Sequence, residues 1–111
     1  MDIIVTVPKD QYKHMEEKAW AQYEGDQPFW EMGRVPKKIE VGDKIFFVMD
    51  GRVSMYATIR SIDADPHGDH CVIDLLDFRG LVAKPVHKPF VGFRYFDLNH
   101  YIYEGFDELR S

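Results

Sequence analysis

The sequence predicts an α+β fold, a small mixed β-barrel with one main N-terminal helix. Three observations lead there. First, Asp50-Gly51 separates two strand-favouring runs, Ile45–Met49 and Val53–Arg60. Asp-Gly suits a type I′ hairpin turn, because both central residues take φ > 0, freely for Gly and tolerably for Asp. Second, one stretch alone, Lys9–Tyr23, spaces its apolar residues as a helix does. Third, the remaining apolar runs are short and divided by turn residues, so hairpins dominate over βαβ units.

In chain order, Asp2–Val7 is β-branched and apolar, and Pro8 ends it, so it reads as a buried first strand. Tyr12, Met15, Ala19, Trp20 and Tyr23 then form the helix's apolar face, with Asp10 as candidate cap and Gly25-Asp26-Gln27-Pro28 as terminator. Phe29–Lys38 is aromatic in front and basic behind, broken by Gly33 and Pro36, and fits a short helical turn or an irregular segment on the barrel wall. Val41-Gly42-Asp43-Lys44 turns into the hairpin, whose second strand alternates Val53, Met55, Ala57 and Ile59 with polar or larger residues. Asp63–Asp69 is a turn-rich loop, His70–Phe78 a strand, and Arg94–Phe106 holds a closing strand. The expected total is five or six strands.

With 111 residues, 45% of them hydrophobic, the chain supports one packed domain spanning 1–111 and is not disordered. A single cysteine, Cys71, allows no internal disulfide and suits a reducing compartment. No apolar run reaches the roughly 20 residues that cross a bilayer. Asp2 stands where a signal peptide would carry a basic residue, so a cytoplasmic protein with no membrane partner is expected. The net charge of −5 disfavours nonspecific adhesion to nucleic acid. That charge is segregated: residues 62–78 carry five acids and no base, whereas 79–94 carry four bases and no acid. A local basic site is therefore compatible with an acidic chain, as is simple pairing of the blocks across neighbouring strands.

Catalytic signatures are missing. There is no Gly-x-Ser-x-Gly elbow, phosphate-cradling loop or dinucleotide fingerprint, and Cys71 lies in an apolar run that raises rather than lowers a thiol pKa. His67, Asp69, His70 and Cys71 have metal-ligand chemistry, but no second Cys/His pair lies at zinc-finger spacing. Adjacent strand positions also send His70 and Cys71 to opposite faces. No cofactor or metal and no catalytic residue is expected.

Two segments combine aromatics with arginine: Phe29-Trp30-Glu31-Met32-Gly33-Arg34 and Phe90-Val91-Gly92-Phe93-Arg94-Tyr95-Phe96. Aromatic faces stack bases, and guanidinium groups stack or grip phosphate at two points. Packing in the core is the competing reading for each aromatic taken singly.

Together with the early strand and helix, the run Val41–Val48 leading through Asp50-Gly51 into Met55–Ile59, and Gly92-Phe93-Arg94-Tyr95 near the end, resembles the PUA-like superfamily of small pseudobarrels, which includes the PUA, ASCH and EVE domains. The resemblance spans about residues 1–105. It implies a cleft on the barrel that binds RNA or modified nucleic-acid bases; a few ASCH-like members are small hydrolases of modified nucleosides. The Gly-x-Lys-x-x-Glu-x-Arg signature of that group is absent here.

The expected function is thus a binding module for RNA or modified bases. Trp30 and Tyr95 would stack, Arg34 and Arg94 would contact phosphate or a base edge, and Lys37, Lys38, Lys84 and Lys88 would form a basic rim. Two alternatives stand beside it. One is a small nucleoside hydrolase using Glu31 with Lys37 or Lys44. The other is a protein-interaction or inhibitor module whose acidic strips, 62–78 and 95–111, mimic nucleic-acid charge.

Overall fold

The computed structural model describes residues 1–21, 28–81, 84 and 86–97. Their elements are β1 (Asp2–Thr6), α1 (Tyr12–Ala21), β2 (Phe29–Met32), β3 (Lys44–Met49), β4 (Arg52–Ala64), β5 (Cys71–Gly80) and β6 (Phe93–Phe96). The strands form one mixed sheet in the order β2-β5-β4-β3-β1-β6. β1 runs parallel to β3, and every other pair is antiparallel. The fold is a curled half-barrel with one short helix, in line with the expected small α+β class. The helix described is neither long nor apolar enough to cross a membrane.

The hairpin forms as expected, with Asp50 at φ 54° and Gly51 at φ 71°, joining β3 to β4. α1 starts after a single 3-10 turn, Lys9–Gln11, so Asp10 lies inside that turn instead of capping the helix. The helix is docked by Met15, which is fully buried, and by the Tyr12 hydroxyl, which accepts the Asp50 N–H at 2.6 Å. The expected continuation of the helix to Tyr23, and the residues proposed for a strand beyond Asp97, lie outside the described residues.

Three further features depart from the sequence reading. Phe29–Met32 is a strand, paired antiparallel to β5, with Trp30 opposite Ile73. Four residues, followed at once by Gly33, are too few to show a period, so only the partner strand reveals it. β4 extends to Ala64, four residues past Arg60, because β5 offers partners as far as Cys71. Finally, register slips break the strict alternation. Phe47 faces Met55 but Val48 faces Val53, which sends Val53 to the opposite face from Met55, Ala57 and Ile59. In β5 the slip between Leu76 and Arg79 places Asp77 at φ 56° and turns both Leu75 and Phe78 inward.

The concave face encloses the main core: Ile3, Val5, Ile45, Phe47, Ala57, Ile59, Cys71, Ile73, Leu75 and Phe78, closed at one end by Met15. The convex side carries a smaller cluster of Ile4, Phe46, Val48, Val53, Leu81 and Phe96. No polar or charged side chain is buried among the described residues.

Phe47 binds the two halves of the curl. Its ring meets Trp30 edge-on at 5.3 Å and Phe78 in a stacked arrangement at 6.1 Å. In a flat sheet β2 and β3, three strand spacings apart, would be separated by about 14 Å. The observed ring contact requires the sheet to fold over its own concave face. Phe47→Ala is expected to cost about 3 to 5 kcal/mol, read as a lowered urea midpoint, with loss of near-ultraviolet aromatic dichroism.

Candidate functional site

Curling brings the two edge strands, β2 and β6, towards each other without pairing them. A cleft of about 420 Å³ occupies the seam, within the size range of small-ligand sites. One wall comes from Trp30, Glu31, Met32, Gly33 and Arg34, the other from Val91, Gly92 and Phe93, and the floor from Val5, Thr6 and Pro8 of β1 and its exit. Strand alternation accounts for the walls. Trp30 and Met32 are the inward positions of β2, and Phe93, opposite Val5, is an inward position of β6.

The lining is chiefly apolar, with two charged side chains at the rim. The Arg34 guanidinium carbon stands 5.9 Å from the Phe93 ring centre, at the outer range of a cation–π contact. Arg34 is exposed and has no ion-pair partner among the described residues. Glu31 approaches His70 Nε2 at 3.5 Å, both side chains being more than half exposed. It makes no ion pair with Lys37 or Lys44, so the acid–lysine pairing considered for a hydrolase is not formed.

The eight residues singled out from the sequence fall into four places. Trp30 and Arg34 share the cleft. Tyr95 lies beside it, in edge contact with Phe93 at 5.6 Å, and its hydroxyl accepts the backbone N–H groups of Lys37 and Lys38 at 3.1 Å each. This clasp fastens the turn after β2 to β6. The Lys38 ammonium sits 5.7 Å from the Tyr95 ring centre, and both lysines are exposed. Arg94, one residue from Phe93 and from Tyr95, points to the other face of β6, where it stacks 4.5 Å above Phe90. Lys88 is exposed on the segment leading to Phe90. Lys84 lies by the hairpin, its carbonyl accepting from Arg52 Nη1 at 2.9 Å. Arg94 and Tyr95 therefore do not share a surface, as a period of two along β6 requires.

Phe93 lines the cleft, although the sequence reading named Trp30 and Tyr95 as the stacking pair and left Phe93 out of it. Its signal was present: on a strand containing Arg94, Phe93 and Arg94 must face opposite ways, so only one of them can join Trp30.

Of the residues with metal-ligand chemistry, Cys71 is fully buried and His70 is turned towards Glu31. No group of three such side chains converges among the described residues. Burial pushes the Cys71 thiol above its ordinary pKa, with a smaller push from the Asp63 carboxylate. Asp43 is held below the usual carboxylate range, chiefly by the hydrogen bond from the Met1 amine at 2.9 Å, helped by the Glu40 N–H.

No family model, curated protein or solved structure matches this chain.

Two outcomes follow from these contacts. Tyr95→Phe leaves two backbone N–H groups without their acceptor; it should destabilise the protein by about 1 kcal/mol and speed hydrogen exchange at Lys37 and Lys38. The raised Cys71 value implies an alkaline limb. Below the unfolded thiol pKa of about 8.5, both states hold the proton and the thiol adds no pH dependence. As pH rises beyond it, the unfolded chain ionises first and stability falls. Urea midpoints measured from about pH 7.5 to 9.5 should show a slope that Cys71→Ala flattens.

Proposed function

We propose that the protein is a PUA-like base-binding module, and that its seam cleft receives a nucleobase, plain or modified, as found in RNA. The observation that carries this reading is the meeting of Trp30, Phe93 and Arg34 around one solvent-open cavity. A flat heteroaromatic ring suits such a site, because aromatic walls offer stacking worth about 1 to 3 kcal/mol per base. The rim supplies the polar complement. Arg34 can donate to phosphate or to a base oxygen, and the Glu31 carboxylate can accept from an exocyclic amino group. Lys37 and Lys38, on the turn clasped by Tyr95, add positive potential on the same side.

The chain's resemblance to PUA-like pseudobarrels through Val41–Ile59 and Gly92–Tyr95 supports the same reading, since that superfamily holds bases in a cleft on its barrel. The Glu31–lysine pairing that a hydrolase reading would use is not formed, since Glu31 faces His70. Binding without turnover is the function proposed.

The test is calorimetric titration with the four common nucleoside monophosphates and a panel of base-modified nucleosides. Saturable binding of at least one is expected, weakened about tenfold by Trp30→Ala or Phe93→Ala. Lack of binding across the panel, or affinity indifferent to both substitutions, would overturn the proposal.

A further inference from the structure

The face of β6 opposite the cleft carries a second feature, a basic ledge along residues 86–94. Two hydrogen bonds and one bridge hold it in place, and a third bond fixes Lys84 just ahead of it. The His87 N–H donates to Gly51 O at 2.9 Å, Arg52 Nη1 donates to Lys84 O at 2.9 Å, and the Phe90 N–H donates to Thr6 Oγ1 at 3.0 Å. Val86 is bridged to Arg52. On this anchored segment the Phe90 ring packs against His87 at 5.3 Å on one side and lies under the Arg94 guanidinium at 4.5 Å. Arg94 and Lys88 are exposed, and neither has an ion-pair partner among the described residues. A guanidinium already stacked on a ring loses less freedom when it grips an anion, and its planar fork matches phosphate.

Ledge and cleft are continuous. Thr6, which anchors Phe90, also lines the cleft, and Val91-Gly92-Phe93 pass directly from one into the other. Gly92, at φ 79°, makes the turn between them. Because Phe93 and Arg94 are consecutive, β6 is a ridge with an aromatic wall on one side and a stacked cation on the other. Arg34 stands on the Phe93 side of that ridge and Arg94 on the other, so a ligand that touches both must cross β6. A strand of nucleotides can.

We infer that the ligand is a single-stranded oligonucleotide, one base of which enters the cleft while the neighbouring phosphates cross β6 and lie against Arg94 and Lys88. This rests on the base-binding reading of the cleft and gives it a substrate class. The net charge of −5 fits a short, local contact with few phosphates rather than a long electrostatic track.

The experiment compares a nucleoside monophosphate with a six-nucleotide single strand containing the same base, each titrated at several salt concentrations. Lys88→Ala/Arg94→Ala should weaken the oligonucleotide about tenfold and leave the monophosphate unchanged. The salt slope of the oligonucleotide should become shallower by about 0.7 per lost phosphate contact. Arg94→Lys, which keeps the charge but loses the planar fork, should fall between, and Lys88→Ala alone gives a second reading should the double variant fold poorly.

Oligonucleotide affinity and slope unchanged in these variants, while Trp30→Ala abolishes binding, would overturn the ledge and leave the cleft standing. The reverse pattern would remove the cleft and keep the ledge. Equal affinity for an acidic peptide of the same charge would overturn the assignment to nucleic acid.

Discussion

The contact between Phe47 and Trp30 is the constraint on which the rest of this molecule depends. It joins a central strand to an edge strand that lies three positions away in the sheet. Such a contact exists only if the sheet closes over its concave face, and burial of the rings supplies the driving force. Phe78, turned inward by the slip in β5, completes the aromatic group. Without this centre, β2 would have no cause to approach β6, and the seam between them would not exist.

The seam has two parts with different physics. At one, the Tyr95 hydroxyl takes two backbone N–H groups from the turn after β2, which fixes the distance between the edges. At the other, the edges stay apart and side chains take the place of a hydrogen-bonded ladder, leaving the cleft of Trp30, Phe93 and Arg34. A clasp beside an opening is a sound way to hold a site, because the clasp sets the width while the walls remain available to a ligand. An edge strand whose partner side is occupied by a cleft and a clasp is also less exposed to pairing with another chain.

Charge follows the same geometry. The basic residues near β6 are not one patch: Arg34, Lys37 and Lys38 belong to the cleft side, whereas Lys88 and Arg94 belong to the opposite side, with Lys84 and Arg52 further along by the hairpin. The acid-free run from 79 to 94 therefore marks the ledge more than the cleft. Arg79, at its start, is spent on Asp77 at 3.2 Å and takes no part in either.

Local chemistry alone determined the hairpin, the first strand, the helix and the inward stripe of Met55, Ala57 and Ile59, because turn preference and periodicity act between near neighbours in the chain. The choice of Trp30 and Arg34 as companions was legible too, since they lie four residues apart on one short segment. What tertiary structure decided is everything that needs a partner strand. It made Phe29–Met32 a strand, it slipped the registers that move Val53 into the convex-side cluster and Phe78 into the main core, and it brought Phe93 opposite Trp30. The separation of Arg94 from Tyr95 follows from the two-residue repeat of a strand. The side on which each one lands was set only when β6 paired with β1, placing Phe93 against Val5 and Arg94 against Ile4. Register between distant strands is fixed by the summed packing of both faces, and no short stretch of chain contains that information.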